Sequence, residues 1–399
     1  MRSMLGGCSD VQIPVDWNRP LADPAGRLVW HTDSESTIPK WGLAVHRELT
    51  ERLCCTQCRG PLSLEIQTLQ HGRGHVDRGE LHCAGCDLRF PIVRGIPRFV
   101  PSEGYVASFG RQWTRYAVER LEEDEPTFQV KTDFQWTELA GQTVLDAGCG
   151  GGRYSYVAAR HGARLIAVDM SRAIDRAAAM CREFEHVDFI QADLLTLPIA
   201  EQAVDRAFSI GVLHHSSDAH AAFQRVASTV RTGGRLAVWL YRRNTRLQEA
   251  VNEIARGVTR RMTTGQLEAI AVAGAVLGSM PLVDRVANKL INFSSHPVWN
   301  NRVCDTFDWY SPQFQSHHTI AELGEWFQSA GFSELRELSP EKQGSLYRWA
   351  YAHNLLIGSG VNIAGTKTAA SNPQNESAHY TSTARHVNRM PDTSSSQSV

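Results

Sequence analysis

Chemistry in this chain concentrates in a glycine turn, a pair of cysteine knuckles and a histidine pair. The turn reads Asp146-x-Gly148-x-Gly150-x-Gly152 at the end of the apolar run Val144-Leu145-Asp146-Ala147. A strand that enters glycines before a helix lays backbone N–H groups against a ligand. A dinucleotide fingerprint would need a small residue where Arg153 stands, because the helix must pack on the strand there. That argues against NAD and hydride chemistry. The knuckles are Cys55-Thr56-Gln57-Cys58 and Cys83-Ala84-Gly85-Cys86. Each places two thiolates on one turn, and Cys55, Cys58, Cys83 and Cys86 together can complete a tetrahedron around Zn(II). Four thiolates leave no open position, so such a zinc is structural. A redox dithiol pair would call for a thioredoxin-like βαβ unit, which the flanks lack. That pair and a ribbon that keeps its shape without metal are the alternatives, and Cys54 and His82 adjoin the knuckles as competing ligands. His214 and His215 follow an apolar strand pattern, and histidine is a residue type suited to a general base; His215 is the favoured one of the two.

The elements that must position these groups can be read in order. A strand over Val144–Ala147 leads into a helix from about Tyr154. Ala163–Asp169 and Val187–Asp193 are apolar runs that each end in a carboxylate, and an acid at a strand's C-terminal end can take both hydroxyls of a ribose. Arg206–Ile210 is a further strand, with His214 and His215 in the loop after it. Val230–Leu236 turns into the next strand. The Glu249–Arg261 segment has helical periodicity, and Ala269–Leu277 is apolar all round, so it should be buried or hold something greasy. Thr306–Pro312 and His317-His318-Thr319 read as an acceptor-side loop, with Thr319 as cap of a helix over Ile320–Ala330 that ends at Gly331. Tyr310, His317 and His318 are lower-ranked acid–base candidates. Tyr347–Leu356 would supply a last, antiparallel strand.

The chain has 399 residues, more than one compact core, and a formal net charge of −1, which provides no global basic field for nucleic acid. Its start lacks a secretory apolar core, and its longest apolar stretch, Ala269–Val283, is short for a membrane span and contains Pro281. Nine cysteines then fit thiols and metal ligands better than a disulfide framework, and a cytoplasmic protein is expected. Four parts are expected: an irregular arm over 1–48, the cysteine module over 49–102, a catalytic domain over 103–357 with a helical lid at 242–305, and a Ser/Thr/Asn/Gly-rich disordered tail over 358–399.

In this order and register the segments resemble a class I S-adenosylmethionine (SAM)-dependent methyltransferase over about residues 105 to 355, least closely from 242 to 305. Thr232 stands where the family usually has proline. The resemblance implies an α/β fold, a Rossmann-like sheet with helices on both faces, preceded by a small zinc ribbon. It implies SAM against Gly148, Gly150 and Gly152, with Asp146 toward the amino group, Asp169 on the ribose and Asp193 toward the adenine amine. Met170, Leu194 and Gly211 complete the implied cofactor-binding set. The aromatic stretch Phe109-Gly110-Arg111-Gln112-Trp113 stands where the family often covers the SAM pocket. The flanks Arg59-Gly60-Pro61-Leu62 and Phe90–Pro97 make the knuckles similar to the zinc-ribbon activator of tRNA, rRNA and release-factor methyltransferases. The activity expected is methylation of oxygen or nitrogen in a small-molecule acceptor, a hydrophobic or aromatic metabolite. The alternatives are an RNA base methyltransferase, for which Arg256, Arg260 and Arg261 would supply a local basic face, and a non-catalytic SAM-binding protein whose ribbon docks a partner.

Overall fold

The computed structural model describes residues 20–22, 28–30, 46–69, 76–100, 121–280, 291–338 and 360–369. The aromatic stretch at 109–113 and the strand expected over 347–356 lie outside them. Residues Met1–Trp41 form a unit of their own. Its described part is an antiparallel pair, β1 (Pro20–Ala22) with β2 (Leu28–Trp30), so the expected irregular arm holds a short ladder.

The second unit runs from Gly42 onward and contains both the cysteine module and the large sheet. It opens with a helical turn, α1 (Arg47–Thr50), and a four-stranded antiparallel sheet: β3 (Ser63–Leu69), β4 (Val76–His82), β5 (Arg89–Val93) and β6 (Ile96–Pro97). The two knuckles are built alike. The N–H of Cys55 donates to the Gly60 carbonyl and that of Arg59 to the Cys55 carbonyl; Cys83 with Leu88 and Asp87 with Cys83 repeat the pattern. Arg59 and Asp87 take positive φ (62° and 57°) to close the turns.

The seven-stranded sheet consists of β7 (Thr143–Ala147), β8 (Arg164–Asp169), β9 (Val187–Gln191), β10 (Val204–Ile210), β11 (Val230–Tyr241), β12 (Phe332–Glu337) and β13 (Gly360–Lys367), in the order β12-β13-β11-β10-β7-β8-β9. The ladders from β11 to β9 are parallel, and β13 runs antiparallel to both β11 and β12. The helices are α2 (Leu121–Thr132), α3 (Arg153–Arg160), α4 (Ala173–Met180), α5 (Ala219–Thr229), α6 (Arg246–Thr259), α7 (Thr264–Leu277), α8 (Trp299–Tyr310) and α9 (Ile320–Ser329). Strand β7 is buried at every position, and buried residues pack against both faces of the sheet, as a doubly wound sheet requires. The strand order reverses between β7 and β10, where ligands of open α/β sheets bind. Val230 pairs with Val204 and Arg235 with Arg206, so Thr232-Gly233-Gly234 loops out as the expected turn within one strand.

The last strand corrects the sequence reading, in which everything from 358 was a disordered tail. The glycines that suggested disorder are demanded by neighbours. A Cβ on Gly360 would sit 2.1 Å from Trp239, and one on Gly365 would sit 2.6 Å from Leu335 and 3.1 Å from Phe327. Between them Val361, Ile363 and Ala364 are buried.

The cysteine module is joined to the large sheet by backbone. Leu53 forms an antiparallel bridge with Ile199, the N–H of Cys54 donates to Pro198, and the N–H of Ala200 to Arg52. On the edge strand β9, Arg98 bridges Gln191 in parallel and the N–H of Phe99 donates to the Gln191 carbonyl. The exposed edge that an open sheet must protect is thus covered. The Arg59 guanidinium donates to the carbonyls of Leu197 (2.5 Å) and Ile199 (2.7 Å). Leu49, Leu53, Val76, Leu81 and Phe90 of the module share one buried cluster with Leu145, Ile166 and Ile190 of the sheet.

Candidate active site

The C-terminal ends of β7, β8 and β10 open into a cleft of about 1000 Å³, solvent mouth included. It is lined by Asp146, Gly148, Gly150, Asp169, Met170, Asp193, Leu194 and Gly211, all from the expected cofactor set, and by His215 and Asp308. Gly152 is not among the lining residues. Its φ of 93° caps α3, and a Cβ there would meet Ala177 Cα at 2.7 Å, so it serves the packing of α3 on α4. Gly148 (φ 91°) faces Val212, whose Cγ1 a Cβ would approach to 2.3 Å. Gly148→Ala is therefore expected to displace Val212 into the cleft and to destabilise the fold by about 1–3 kcal/mol. Chemical denaturation checks the stability loss.

The acids are held before any ligand arrives. Asp169 Oδ2 accepts the Gly150 N–H at 2.8 Å, while its Oδ1 accepts both the N–H (2.8 Å) and hydroxyl (2.7 Å) of Ser171. Asp193 caps the turn Leu194–Thr196 by accepting the Leu195 N–H at 2.9 Å. Asp146 is buried and accepts the Ser155 hydroxyl at 2.6 Å. Burial lifts its carboxyl to about 7 against that hydrogen bond, with the Asp169 charge adding to the rise. Arg153, the residue that excluded a dinucleotide motif, lines the cleft and pairs with Asp124 of α2.

The structure separates the two histidines. His214 is fully buried, stacked on Tyr241 with ring centroids 3.9 Å apart, and its Nδ1 accepts the Tyr241 N–H at 3.4 Å. Burial holds it well below the usual histidine range, so it stays neutral. His215 lines the cleft. Its Nδ1 lies 3.2 Å from the Phe314 carbonyl, which selects the Nδ1–H tautomer and turns Nε2 toward Asp308, 3.5 Å away. Tyr241 donates its hydroxyl to the same Asp308 Oδ2 at 2.5 Å.

Asp308 was legible only as part of the 306–312 segment, which is not a loop. Residues up to Tyr310 complete α8, whose Val303, Cys304, Phe307 and Tyr310 are buried at helical spacing; that spacing was the available signal. Tyr310, His317 and His318 are occupied elsewhere. Tyr310 donates to the Asn292 carbonyl at 2.8 Å, His317 Nδ1 lies 2.6 Å from Glu249, and His318 Nδ1 lies 3.0 Å from Glu322. Thr319 caps α9, as expected from the sequence, and Glu322 completes a capping box with it.

The four knuckle sulfurs lie within 4.8 Å of one another, with Cys55–Cys86 at 3.4 Å and Cys58–Cys83 at 3.3 Å. A tetrahedron of Zn–S bonds of about 2.3 Å needs sulfurs about 3.8 Å apart, so the cluster fits that ion. Cys54 and His82 fall outside it; His82 Nε2 pairs with Asp87 instead.

Comparison with known proteins places two family models on these parts. A methyltransferase-domain model matches residues 145–238, from β7 through β11. The chain carries a methyltransferase domain. A Trm112p-like model matches residues 46–95, so the four-cysteine module ahead of the methyltransferase domain is Trm112p-like. The O-methyltransferase resE of Aspergillus sclerotiorum is 32% identical over 126 residues, 29% of this chain and 48% of the relative. The methyltransferase GfsG of Streptomyces halstedii is 35% identical over 105 residues, 25% of this chain and 37% of the relative. The chain thus spans about half or less of the length of these relatives. Among solved structures, magnesium protoporphyrin IX methyltransferase from Synechocystis PCC 6803 is 16% identical, covering 67% of this chain and 98% of that one at a TM-score of 0.39. Methyltransferase-domain membership implies SAM as the cofactor, and the acids and glycine turn of the cleft fit it. Among the described residues no helix is long and apolar enough to cross a membrane.

Proposed function

We propose that this chain transfers a methyl group from SAM to an oxygen or nitrogen of a small, largely apolar acceptor, and that the Trm112p-like module holds a structural zinc. The observation that carries the reading is one cleft that brings Asp146, Asp169 and Asp193 together with the His215–Asp308 pair. Bound SAM supplies a methyl already activated on a sulfonium. The protein's task is then positioning and removal of the acceptor's proton. Asp169 would take one ribose hydroxyl beside the Gly150 and Ser171 bonds, because a carboxylate has about four acceptor sites and three are filled; the second hydroxyl would replace that of Ser171. Asp146, ionised, would face the amino group. His215 would take the proton at Nε2, and Asp308, fixed by the Tyr241 hydroxyl, would stabilise the imidazolium.

The elevated Asp146 carboxyl gives this seat a pH dependence. An ammonium ligand needs the ionised form, so SAM affinity is full above about pH 7 and falls as pH drops through it, by up to about tenfold per unit. Calorimetric titrations between about pH 5 and pH 8 check this, and Asp146→Asn is expected to flatten the profile.

The RNA reading loses its local support. Arg256 is buried, donating to the Trp309 and Pro312 carbonyls, and Arg260 lies 3.5 Å from Glu253, so the expected basic face does not assemble. Incubating the protein with methyl-labelled SAM, a metabolite extract and total RNA tests the choice. Label in a small organic-soluble product supports the proposal, and label confined to RNA overturns it.

A further inference from the structure

Helix α6 is built inside out. Its inward face is polar: Gln248 donates to Asn292 at 2.9 Å, Arg256 to the Trp309 and Pro312 carbonyls, and Thr259 to the Tyr310 carbonyl. Its outward face carries Leu247, Ile254 and Val258, which are 65%, 73% and 54% exposed. Spaced by seven and four residues, they form one stripe. The helix cannot roll to hide that stripe without breaking its buried hydrogen bonds. The next helix, α7, behaves similarly. Leu267, Ala271 and Ala275 face inward, and a Cβ on Gly274 would meet Thr306 at 2.6 Å, so that face is committed to α8. Outward it presents Val272, Val276 and, just beyond its end, Met280, with no charged residue between 269 and 280. The sequence required this apolar helix to be buried or to hold something greasy; the fold buries only half of it.

We propose that the α6–α7 lid docks on an anionic lipid surface. The charge around the stripe is what selects the occupant. Exposed Arg246 and Arg261 flank it at the two ends of α6; of the acids on these helices, Glu249 pairs with His317, Glu253 is opposed by Arg260 at 3.5 Å, and Glu268 stands in the first turns of α7. Protein-facing patches depend on polar groups and aromatic or arginine anchors at their centre. Here the centre is Leu, Ile and Val, the arginines stand at the margin, and Trp299 is exposed at the start of the helix against which α7 packs. Apolar residues entering the acyl boundary, with cations and an indole at headgroup level, are the pattern of helices that lie on membranes. The helices are 14 residues each, too short to span. The proposal goes beyond the methyl-transfer reading and stands whether or not the acceptor is itself a lipid.

The test is co-sedimentation of the full chain with vesicles of phosphatidylcholine alone or mixed with phosphatidylglycerol. Binding is expected to the phosphatidylglycerol vesicles and to weaken with salt. Ile254→Asp or Val276→Asp is expected to reduce it by about tenfold or more, and Arg246→Ala with Arg261→Ala by about fivefold per charge. These exposed substitutions should leave the thermal midpoint and SAM titration unchanged. The proposal is overturned if the wild type ignores phosphatidylglycerol vesicles at low salt, or if Ile254→Asp binds them equally well. It is also overturned if the same substitutions abolish self-association, or capture of a soluble protein, while vesicle binding is absent; the face would then belong to a protein interface.

Discussion

Replacing Cys83 with serine, or stripping metal with a chelator, is expected to lower the stability of the whole unit from residue 46 onward, not of the module alone. Two features make this a large effect. The four sulfurs converge within 4.8 Å, so removing one ligand leaves three thiols with no ion to order them. Structural zinc commonly contributes on the order of 10 kcal/mol to small modules. The second feature is the seam. The bridges Leu53–Ile199 and Arg98–Gln191, the Arg59 bonds to Leu197 and Ile199, and the shared apolar cluster tie the module to the sheet's edge strand. Losing the module uncovers β9 and the side of the sheet that carries Asp169. Arg98 continues the path: it donates to the Gln191 side chain at 3.0 Å, which donates at 3.0 Å to the carbonyl of Met170, a residue that lines the cleft. Calorimetry should show a single transition lowered by about 10 °C or more, and SAM affinity should fall with it. Two transitions, with the larger one unmoved, would mean that the module is a passenger.

His215→Ala is expected to lower kcat by about 10²–10⁴-fold, with SAM affinity changed by less than about twofold, because its Nε2 is directed at Asp308. Asp308→Asn should lower kcat in the same direction but less, since it leaves the base in place and removes only the charge that stabilises it. His214→Ala separates chemistry from scaffolding. That ring is buried between His215 and Tyr241, and its Nδ1 accepts the Tyr241 N–H at 3.4 Å, so its loss should appear in the thermal midpoint before it appears in turnover. Steady-state kinetics on the acceptor found by methyl labelling, paired with SAM titrations, reads all three. Full turnover by His215→Ala would remove it as the base.

What the sequence disclosed divides by range. The glycine turn, the strand-end acids and the cysteine knuckles are local patterns, a few residues in which backbone and chemistry are set together; Asp146, Asp169 and Asp193 line one cleft, and the four cysteines form a separate cluster. Asp308 was beyond reach because its helix lies about ninety residues from His215 in sequence and meets it only through the lid's packing. The strand at 360–367 was hidden for a related reason. Its glycines look like disorder until Trp239, Phe327 and Leu335 are seen against them. The roles of Gly148 and Gly152 also shifted. Both were read as lying against the cofactor; Gly152 makes room for Ala177 instead, and Gly148, which does line the cleft, also makes room for Val212. Of the three, Gly150 bonds to the acid expected on the ribose.

The account rests on the cleft being a SAM seat, and a calorimetric titration of the zinc-replete full chain with SAM addresses it most directly. The expected result is saturable one-to-one binding at pH 8 that Asp169→Ala abolishes while the protein stays folded at the titration temperature. A folded, zinc-replete protein that takes up no SAM, or that binds it equally well without the Asp169 carboxylate, would contradict the account.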